Sequence, residues 1–230
     1  MYKTLKEEAW EANMEIPALK LAIFTWGNVS AFDPEKGVFA IKPSGVSYDK
    51  LSADSMVVVD LEGKVVDGNL NPSSDTETHR VLYREFSGIK GITHTHSPYA
   101  SGWAQAGRSV PVYGTTHADQ GVDPIPCTLF MDKEAVKNNY ELETGNLIVD
   151  TLQKQKIDPA HMPMILVAGH GPFTWGKNAA DSVHYAAILE EICKMALFTN
   201  ILNPDAQPLP EHLIRKHWDR KHGSGAYYGQ

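Results

Sequence analysis

The segment SMVVVDLEGKVVDG, residues 55–68, constrains the fold more than any other part of the sequence. β-Branched residues stand on both sides of a turn centred on Glu62 and Gly63, which predicts a hairpin of two strands. Strands joined by so short a turn run antiparallel. The chain also lacks the regular alternation of strand and helix that is typical of doubly wound parallel sheets, so we expect a mainly antiparallel sheet.

Further elements are predicted on either side of this hairpin. Four segments have the pattern of helices: 3–14, 73–86, a short one beginning at Pro98, and 179–199. Three segments contain the pattern of a strand: 38–45, which breaks at Pro43 and Gly45, 89–96, and 163–176, which runs into a glycine-punctuated segment. The first helix should end before Pro17, and Ser74 with Glu77 matches a capping box at the start of the second. Together these segments predict an α/β sandwich in which residues 1–230 form one domain.

The composition limits the partners that the chain can bind. With 28 acidic and 21 basic residues the formal charge is −7, so we expect no nucleic-acid binding and no attachment to anionic membranes. Cys127 and Cys193 form no CxxC pattern and are expected to be reduced thiols. The N-terminal segment lacks the apolar core of a signal peptide, and no apolar run reaches the roughly 18 residues of a membrane span. We therefore expect a cytoplasmic enzyme or binding protein.

Two histidines in GITHTHSPYA, His94 and His96, are the first candidates for chemistry. Residues i and i+2 of a strand share a face, so both imidazoles can point into one volume. They can equally form the polar face of an ordinary strand. His170 follows the apolar run MILVA between Gly169 and Gly171, where an unpartnered imidazole would carry a desolvation cost. Three imidazoles are a ligand set for a zinc-type ion that keeps an open coordination position.

A carboxylate ligand is available at Asp75. Its simpler role is to cap the helix that begins there, because Asp is favoured at that position. The residues alone leave both roles open. Glu77 and His79 follow on the same helix, where we expect a cap partner and a surface residue.

Three short segments are suited to binding an anion: WGN at 26–28, KPSG at 42–45 and PSS at 72–74. Ser73 and Ser74 stand where a helix N-terminus presents unpaired N–H groups. Each segment alone is weak evidence, because Ser-Gly turns are common. Jointly, beside a candidate metal site, they suggest a small phosphorylated substrate.

Acid–base candidates lie in the second half of the chain. YGTTHADQG at 113–121 carries Thr115 and Asp119 between two glycines, although a plain polar loop is the simpler explanation. The C-terminus places Tyr227 and Tyr228 after a Gly-Ser-Gly hinge. Such a tail is often disordered, and it can equally dock onto a neighbouring subunit.

Five motifs follow one another along the chain: GN at 27–28, SG at 44–45, SSDTETH at 73–79, HTHS at 94–97 and AGHGPFTWG at 168–176. In this order and spacing they closely resemble the L-ribulose-5-phosphate 4-epimerases, a branch of the class II (metal-dependent) aldolase superfamily. The resemblance covers essentially the whole chain, including the terminal GAYYGQ. It implies a single-domain α/β/α sandwich and a homotetramer with active sites between subunits.

The resemblance also implies roles for individual residues. The ligands of a divalent cation, Zn²⁺ or another such as Mn²⁺, would be Asp75, His94, His96 and His170. The substrate phosphate would be held by Gly27, Asn28, Ser44, Gly45, Ser73 and Ser74, with Lys42 adjacent. Asp119 and Tyr228 correspond to the two catalytic acid/base residues, of which Tyr228 reaches the site from a neighbouring subunit. Supporting positions would be Thr115, Glu141 and His217.

The implied activity interconverts L-ribulose 5-phosphate and D-xylulose 5-phosphate. The bond between carbons 3 and 4 would break in a retro-aldol step, and the aldehyde would rotate and add back on its other face. The cation would act as a Lewis acid on the ketose oxygens. The two acid/base residues would move protons on opposite faces, and the sequence leaves open which residue serves which epimer.

Two alternatives stay open. A sibling aldolase, such as one acting on fuculose 1-phosphate, would release its aldehyde; those enzymes resemble SSE where this chain has SSD at 73–75, and the shorter Asp side chain suits metal ligation. A non-catalytic adducin-like module on the same fold would be expected to lack the ligand set. The sequence does not separate an arabinose route from an ascorbate route.

Overall fold

The structure is a computed structural model that describes residues 1–223 and 226–227. Seven strands form one sheet: β1 (Asn28–Asp33), β2 (Val38–Ile41), β3 (Val57–Asp60), β4 (Val65–Asp67), β5 (Gly91–His94), β6 (Met164–Leu166) and β7 (Pro172–Gly176). Their order is β4-β3-β2-β1-β5-β7-β6, and every neighbouring pair is antiparallel. The hairpin predicted from the sequence is the β3–β4 pair, so the antiparallel prediction is confirmed.

Helices of very different lengths connect these strands. In chain order they are α1 (Lys3–Ala18), α2 (Thr76–Glu85), α3 (Pro98–Gln105), α4 (Thr115–Ala118), α5 (Lys133–Asn138), α6 (Tyr140–Gln155), α7 (Ala179–Leu202) and α8 (Glu211–His222). Asn178 caps α7 by accepting a hydrogen bond from the Asp181 N–H. None of the helices in the described part of the chain has the length and apolarity needed to cross a membrane.

Alternation along the strands gives the sheet two apolar faces. In β2, Val38 and Ala40 belong to a core with α1 and α7, whereas Phe39 and Ile41 belong to a second core with α2 and α6. A third apolar cluster lies between α3, β6 and α7. Helices therefore cover both faces of the sheet, and the predicted α/β/α sandwich is confirmed.

Two predictions about helix ends are wrong. Helix α1 continues through Pro17 to Ala18; a proline so close to the C-terminal end removes only one helical hydrogen bond, and burial of Ile16 holds the last turn on the sheet. Helix α2 begins at Thr76, and the Ser74–Glu77 capping box is absent. The Glu77 carboxylate instead accepts hydrogen bonds from the guanidinium of Arg80.

Candidate metal centre and phosphate cavity

Three imidazoles meet at the end of β5. His94 is its last residue, His96 follows two positions later, and His170 lies in the turn between β6 and β7, which pairs with β5. The Nε2 atoms of His94 and His96 are 3.1 Å apart, and one ring nitrogen from each of the three residues lies within 4.8 Å of the others. Antiparallel pairing of β5 with β7 thus joins residues that are far apart in the sequence.

All three imidazoles are held in the neutral form that binds metal ions. Burial, with a contribution from His96, lowers the pKa of His94 to about 3. Burial and His94 lower the pKa of His170 to about 3, and burial lowers the pKa of His96, with Asp75 opposing the shift. A neutral imidazole has a free lone pair on one nitrogen. The three rings therefore stay unprotonated near neutral pH and can bind a cation.

Backbone and tyrosine contacts orient two of the rings. His94 Nδ1 lies 2.9 Å from the carbonyl oxygen of Pro172, which can only accept, so Nδ1 carries the proton and Nε2 presents its lone pair to the group. The hydroxyl of Tyr140 lies 3.3 Å from His170 Nδ1. Phe173 stacks on the His94 ring with centroids 4.3 Å apart. The donor set and its orientation fit a divalent cation with imidazole ligands.

Asp75 stands at the N-cap position of α2 but makes no capping hydrogen bond with its side chain. Its Oδ2 accepts a hydrogen bond of 2.6 Å from Asn28 Nδ2, and it lines the same cavity as His96. It lies outside the compact group of ring nitrogens found among the described residues. Its role as the carboxylate ligand remains a prediction.

Gly27 shows why glycine is needed beside the three imidazoles. Its φ is +73°, and a Cβ there would lie 2.9 Å from the carbonyl oxygen of His94. The chain entering β1 therefore passes close beneath the end of β5, next to the imidazoles. A larger residue at this position would push the two strands apart.

A polar cavity of about 320 Å³ adjoins the imidazoles. It contains every residue predicted for the phosphate cradle, together with Asp75 and His96: Gly27, Asn28, Lys42, Ser44, Gly45, Ser73 and Ser74. Strand β1, the end of β2 and the start of α2 each supply one side of it. The three weak sequence signals thus form one pocket.

Lys42 gives this cavity a positive charge at an energetic cost. Its side chain is only 2% exposed, its Nζ donates to the carbonyl oxygen of Thr25 at 3.2 Å, and it lies 5.2 Å from the ring centroid of Tyr48. Burial lowers the pKa of Lys42 to about 8. A buried ammonium whose contacts among the described residues are carbonyl oxygens and an aromatic ring is suited to receive an anion.

Three further predicted residues, Thr115, Asp119 and His217, lie together in a second cluster around Asp119, which directly follows α4. His217 and Arg220 on α8 both bind the Asp119 carboxylate, and Thr115 is the first residue of α4. Residues 113–121 therefore contain the four-residue helix α4, whose last two residues, His117 and Ala118, are buried, and are not a plain polar loop. Within residues 1–223 and 226–227, no hydrogen bond or ion pair joins the Asp119 carboxylate to His94, His96 or His170.

The other predicted positions are placed as follows. Glu141 lies in the first turn of α6, next to Tyr140, and its carbonyl oxygen accepts a hydrogen bond from Thr78. Tyr228 lies outside the described residues. The prediction that His79 is a surface residue is wrong, because it is fully buried and its Nδ1 lies 2.7 Å from Ser30 Oγ.

Sequence reasoning missed two residues that contact the predicted ones. Tyr140 contacts His170, and Arg220 binds Asp119 from a position 101 residues away. Neither residue stands in a motif with recognisable spacing. The one available signal was the basic run near the C-terminus, which gives no partner on its own.

The fold and the imidazole group define a metal-dependent aldolase-type protein. The family model described as "Class II Aldolase and Adducin N-terminal domain" matches residues 7–197. The chain therefore belongs to this family.

Particular relatives are more specific. The chain is 50% identical over 226 residues to "L-ribulose-5-phosphate 4-epimerase UlaF" of Salmonella paratyphi C (strain RKS4594), with 98% of each chain covered. The protein of the same name from Salmonella choleraesuis (strain SC-B67) matches with the same identity and coverage. Both alignments extend over nearly the full length of this chain.

Solved structures show the same fold. An "L-fuculose 1-phosphate aldolase" superposes with a TM-score of 0.78 at 22% identity, covering 94% of this chain and 95% of the other. The L-fuculose-1-phosphate aldolase of Thermus thermophilus gives a TM-score of 0.68 at 21% identity, covering 89% of this chain and 99% of the other. At these identities the likeness concerns the fold alone.

Proposed function

We propose that this chain is a divalent-metal-dependent epimerase that interconverts L-ribulose 5-phosphate and D-xylulose 5-phosphate in the cytoplasm. The observation that carries the proposal is the adjacency of the imidazole group and the polar cavity, which share His96. The relatives at 50% identity support the choice of substrate. The pairing of a Lewis-acid site with a phosphate cradle suits a phosphorylated ketose.

Inversion at carbon 4 by removal of its hydrogen is difficult, and a carbon–carbon cleavage avoids the difficulty. Carbon 4 is not adjacent to the carbonyl at carbon 2, so a carbanion there would have no stabilisation. When the hydroxyl on carbon 4 loses its proton, the electron pair of the bond between carbons 3 and 4 moves into the three-carbon fragment. The other product is glycolaldehyde phosphate. Rotation of its aldehyde group and re-addition invert the configuration.

The proposed ligands of the cation are His94, His96 and His170, with Asp75 as the carboxylate. Bound there, Zn²⁺ or Mn²⁺ would supply a Lewis acid that polarises the carbonyl at carbon 2. The chain itself keeps the imidazoles neutral by burial, and the Pro172 carbonyl fixes which nitrogen of His94 faces the group.

The phosphate cavity decides whether the aldehyde is retained. Lys42, the hydroxyl of Ser44 and the amide of Gly45 would hold the phosphate while the aldehyde end turns, because charge-assisted hydrogen bonds to phosphate are strong. Ser73 and Ser74 would add donors before α2, whose N-terminus favours an anion. Retention of this fragment separates an epimerase from an aldolase that releases it.

A second copy of the chain would complete the site. Asp119 and Tyr228 are the proposed acid/base pair, and among the described residues the Asp119 carboxylate is bound by His217 and Arg220 and not by His94, His96 or His170. Phe24 and Trp26 are 73% and 51% exposed, and Trp26 contacts the ring of His96. Apolar side chains open to solvent beside a site suit cover by a neighbouring subunit, in line with the proposed homotetramer.

Turnover in heavy water tests both the substrate and the route. Metal-loaded protein is incubated with L-ribulose 5-phosphate in D₂O, and the product is examined by NMR. We expect D-xylulose 5-phosphate without deuterium at carbon 4, because that C–H bond is never broken. Deuterium at carbon 4 would contradict the cleavage route, and accumulation of free glycolaldehyde phosphate would indicate an aldolase. No conversion by metal-replete protein would overturn the proposal.

A further inference from the structure

Side chains from one helix occupy both oxygens of the Asp119 carboxylate. Arg220 donates from Nε to Oδ1 at 2.9 Å and from Nη2 to Oδ2 at 2.5 Å. His217 Nδ1 lies 3.0 Å from Oδ1. A planar guanidinium that binds two oxygens at once fixes the plane of a carboxylate as well as its position.

Burial makes this contact more than a surface ion pair. Asp119 is 8% exposed as a residue, and the side chain of Arg220 is 23% exposed. Ion pairs that are largely withdrawn from water are screened much less than exposed ones. The ion pair between Arg215 and Glu211 on the same helix is different, because Arg215 Nε lies 3.7 Å from Glu211 Oε1 and both side chains are open to solvent.

We propose that Arg220 is a positioning residue for catalysis, which holds the Asp119 carboxylate ionised and oriented so that it can exchange a proton with the substrate. This inference rests on the proposed acid/base role of Asp119. Arg220 acts through Asp119 and is not itself assigned a contact with substrate.

The backbone of Arg220 extends this role to the C-terminal tail. Its carbonyl oxygen accepts a hydrogen bond of 3.0 Å from the N–H of Tyr227, and Lys216 Nζ lies 5.3 Å from the Tyr227 ring centroid. Tyr228 is the next residue in the sequence. Helix α8 thus brings the chain segment before Tyr228 to the residue that binds Asp119.

The charged surroundings of Asp119 come from both elements that meet there. Burial acts to raise the pKa of Asp119, but hydrogen bonds from Arg220 and His217 and the charge of Lys221 hold it below its ordinary value. His222 Nε2 lies 3.1 Å from the backbone oxygen of Asp119. On α4 itself, His117 is buried, and its pKa falls to about 4, so it carries no charge near neutral pH.

The test compares Arg220→Gln and Arg220→Lys with Arg215→Gln as a matched control on the same helix. Epimerisation is followed over a range of about pH 3 to 9, so that the acidic limb set by Asp119 falls inside it, with metal content measured in parallel. We expect kcat of Arg220→Gln to fall about 10- to 100-fold with unchanged metal content. Its acidic limb should shift upward by about one pH unit, because the carboxylate is then protonated more easily. Arg220→Lys should recover part of both effects, and Arg215→Gln should behave as wild type.

A carbon-detected NMR titration of the Asp119 carboxyl, assigned with Asp119→Asn, gives a readout that does not depend on activity. The titration midpoint should rise in Arg220→Gln and stay unchanged in Arg215→Gln. An unchanged midpoint, or an unchanged pH profile in an active enzyme, would overturn the positioning role while leaving the proposed function intact. If the wild type does not epimerise, the proposed function fails, and this inference fails with it even if the midpoint rises. Should Arg220→Gln not fold, Arg220→Lys decides by the same two measurements.

Discussion

The imidazole group and the Asp119 cluster are built in opposite ways. The imidazoles sit on the central sheet, where pairing of β5 with β7 and burial fix them within one chain. Asp119 lies between α4 and α8, and its carboxylate is bound by the guanidinium of Arg220 and the imidazole of His217. The three imidazoles all come from one chain, whereas the helical cluster holds the carboxylate proposed for the acid–base step, which Tyr228 of a second copy would complete.

The largest effect is expected from His94→Asn, which attacks the sheet-borne site. Loss of the Nε2 lone pair should weaken metal binding by more than about 100-fold and lower turnover by about 10³-fold. Metal analysis and the epimerase assay measure the two losses. Thr95→Val is the matched control: Thr95 is buried next to His94 and contacts only Ser97 through its hydroxyl among the described residues, so metal binding and turnover should stay within about twofold. Equal losses in both variants would point to general disruption of the strand.

Asp119→Asn should separate the two regions. As a general acid or base, Asp119 is expected to contribute about 10²- to 10⁴-fold to kcat, whereas the imidazoles it does not touch should keep their metal. The measurement is kcat together with bound metal per chain. If Asp119→Asn and Tyr228→Phe both turned over like the wild type, the acid/base assignment would be wrong.

Lys42→Met tests the phosphate cavity: it should weaken substrate binding and at the same time stabilise the folded protein. Loss of a charge-assisted contact worth about 1.5–3 kcal/mol should raise KM by about 10- to 100-fold. Because Lys42 is buried with its pKa depressed to about 8, methionine removes a desolvation cost, and the melting temperature should rise below about pH 8. That gain should shrink as the pH passes from about 8 towards the unfolded value of 10.5, since the folded wild type then loses the charge. A lower melting temperature with unchanged KM would contradict both statements.

The smallest effect is the pH dependence of KM in the wild type. As the pH rises above about 8, Lys42 loses its proton, and the affinity for the phosphorylated substrate should decline by a few-fold. Bound phosphate raises the pKa of the ammonium, so Lys42 should lose its proton at a higher pH in the enzyme that is saturated with substrate. Lys42→Met serves as the reference, because it should show no such limb. A limb that persists in this variant would have to be assigned to another group.

Much of the fold follows from local patterns, and the rest depends on distant contacts. The hairpin at 55–68 and the helix after Asn178 were predicted because turns and caps act within a few residues. The adjacency of β1 and β5, whose partners Asn28 and His94 are far apart in sequence, depends on packing of the whole sheet. The predicted capping box at the start of α2 is absent because the Glu77 carboxylate binds Arg80 instead, a contact that spacing does not specify.

The candidate site divides in the same way. His94, His96 and His170 could be predicted because each stands in a strand or glycine-flanked segment with distinctive spacing. The burial of His79 was missed, since one face of α2 lies against the sheet and against Ser30. The convergence of Arg220 on Asp119 was also missed, because basic residues near a chain end give no indication of their partner.

Three imidazoles are proposed to hold a cation without which this chain cannot epimerise a ketopentose phosphate. A coupled assay of D-xylulose 5-phosphate formation from L-ribulose 5-phosphate tests that dependence, with protein that is first stripped by a chelator and then reloaded with Zn²⁺ or Mn²⁺. We predict that activity disappears with the metal and returns on reloading, and that His94→Asn cannot be reloaded. Full activity of the stripped protein, or none after reloading, would contradict the proposed role of the imidazoles.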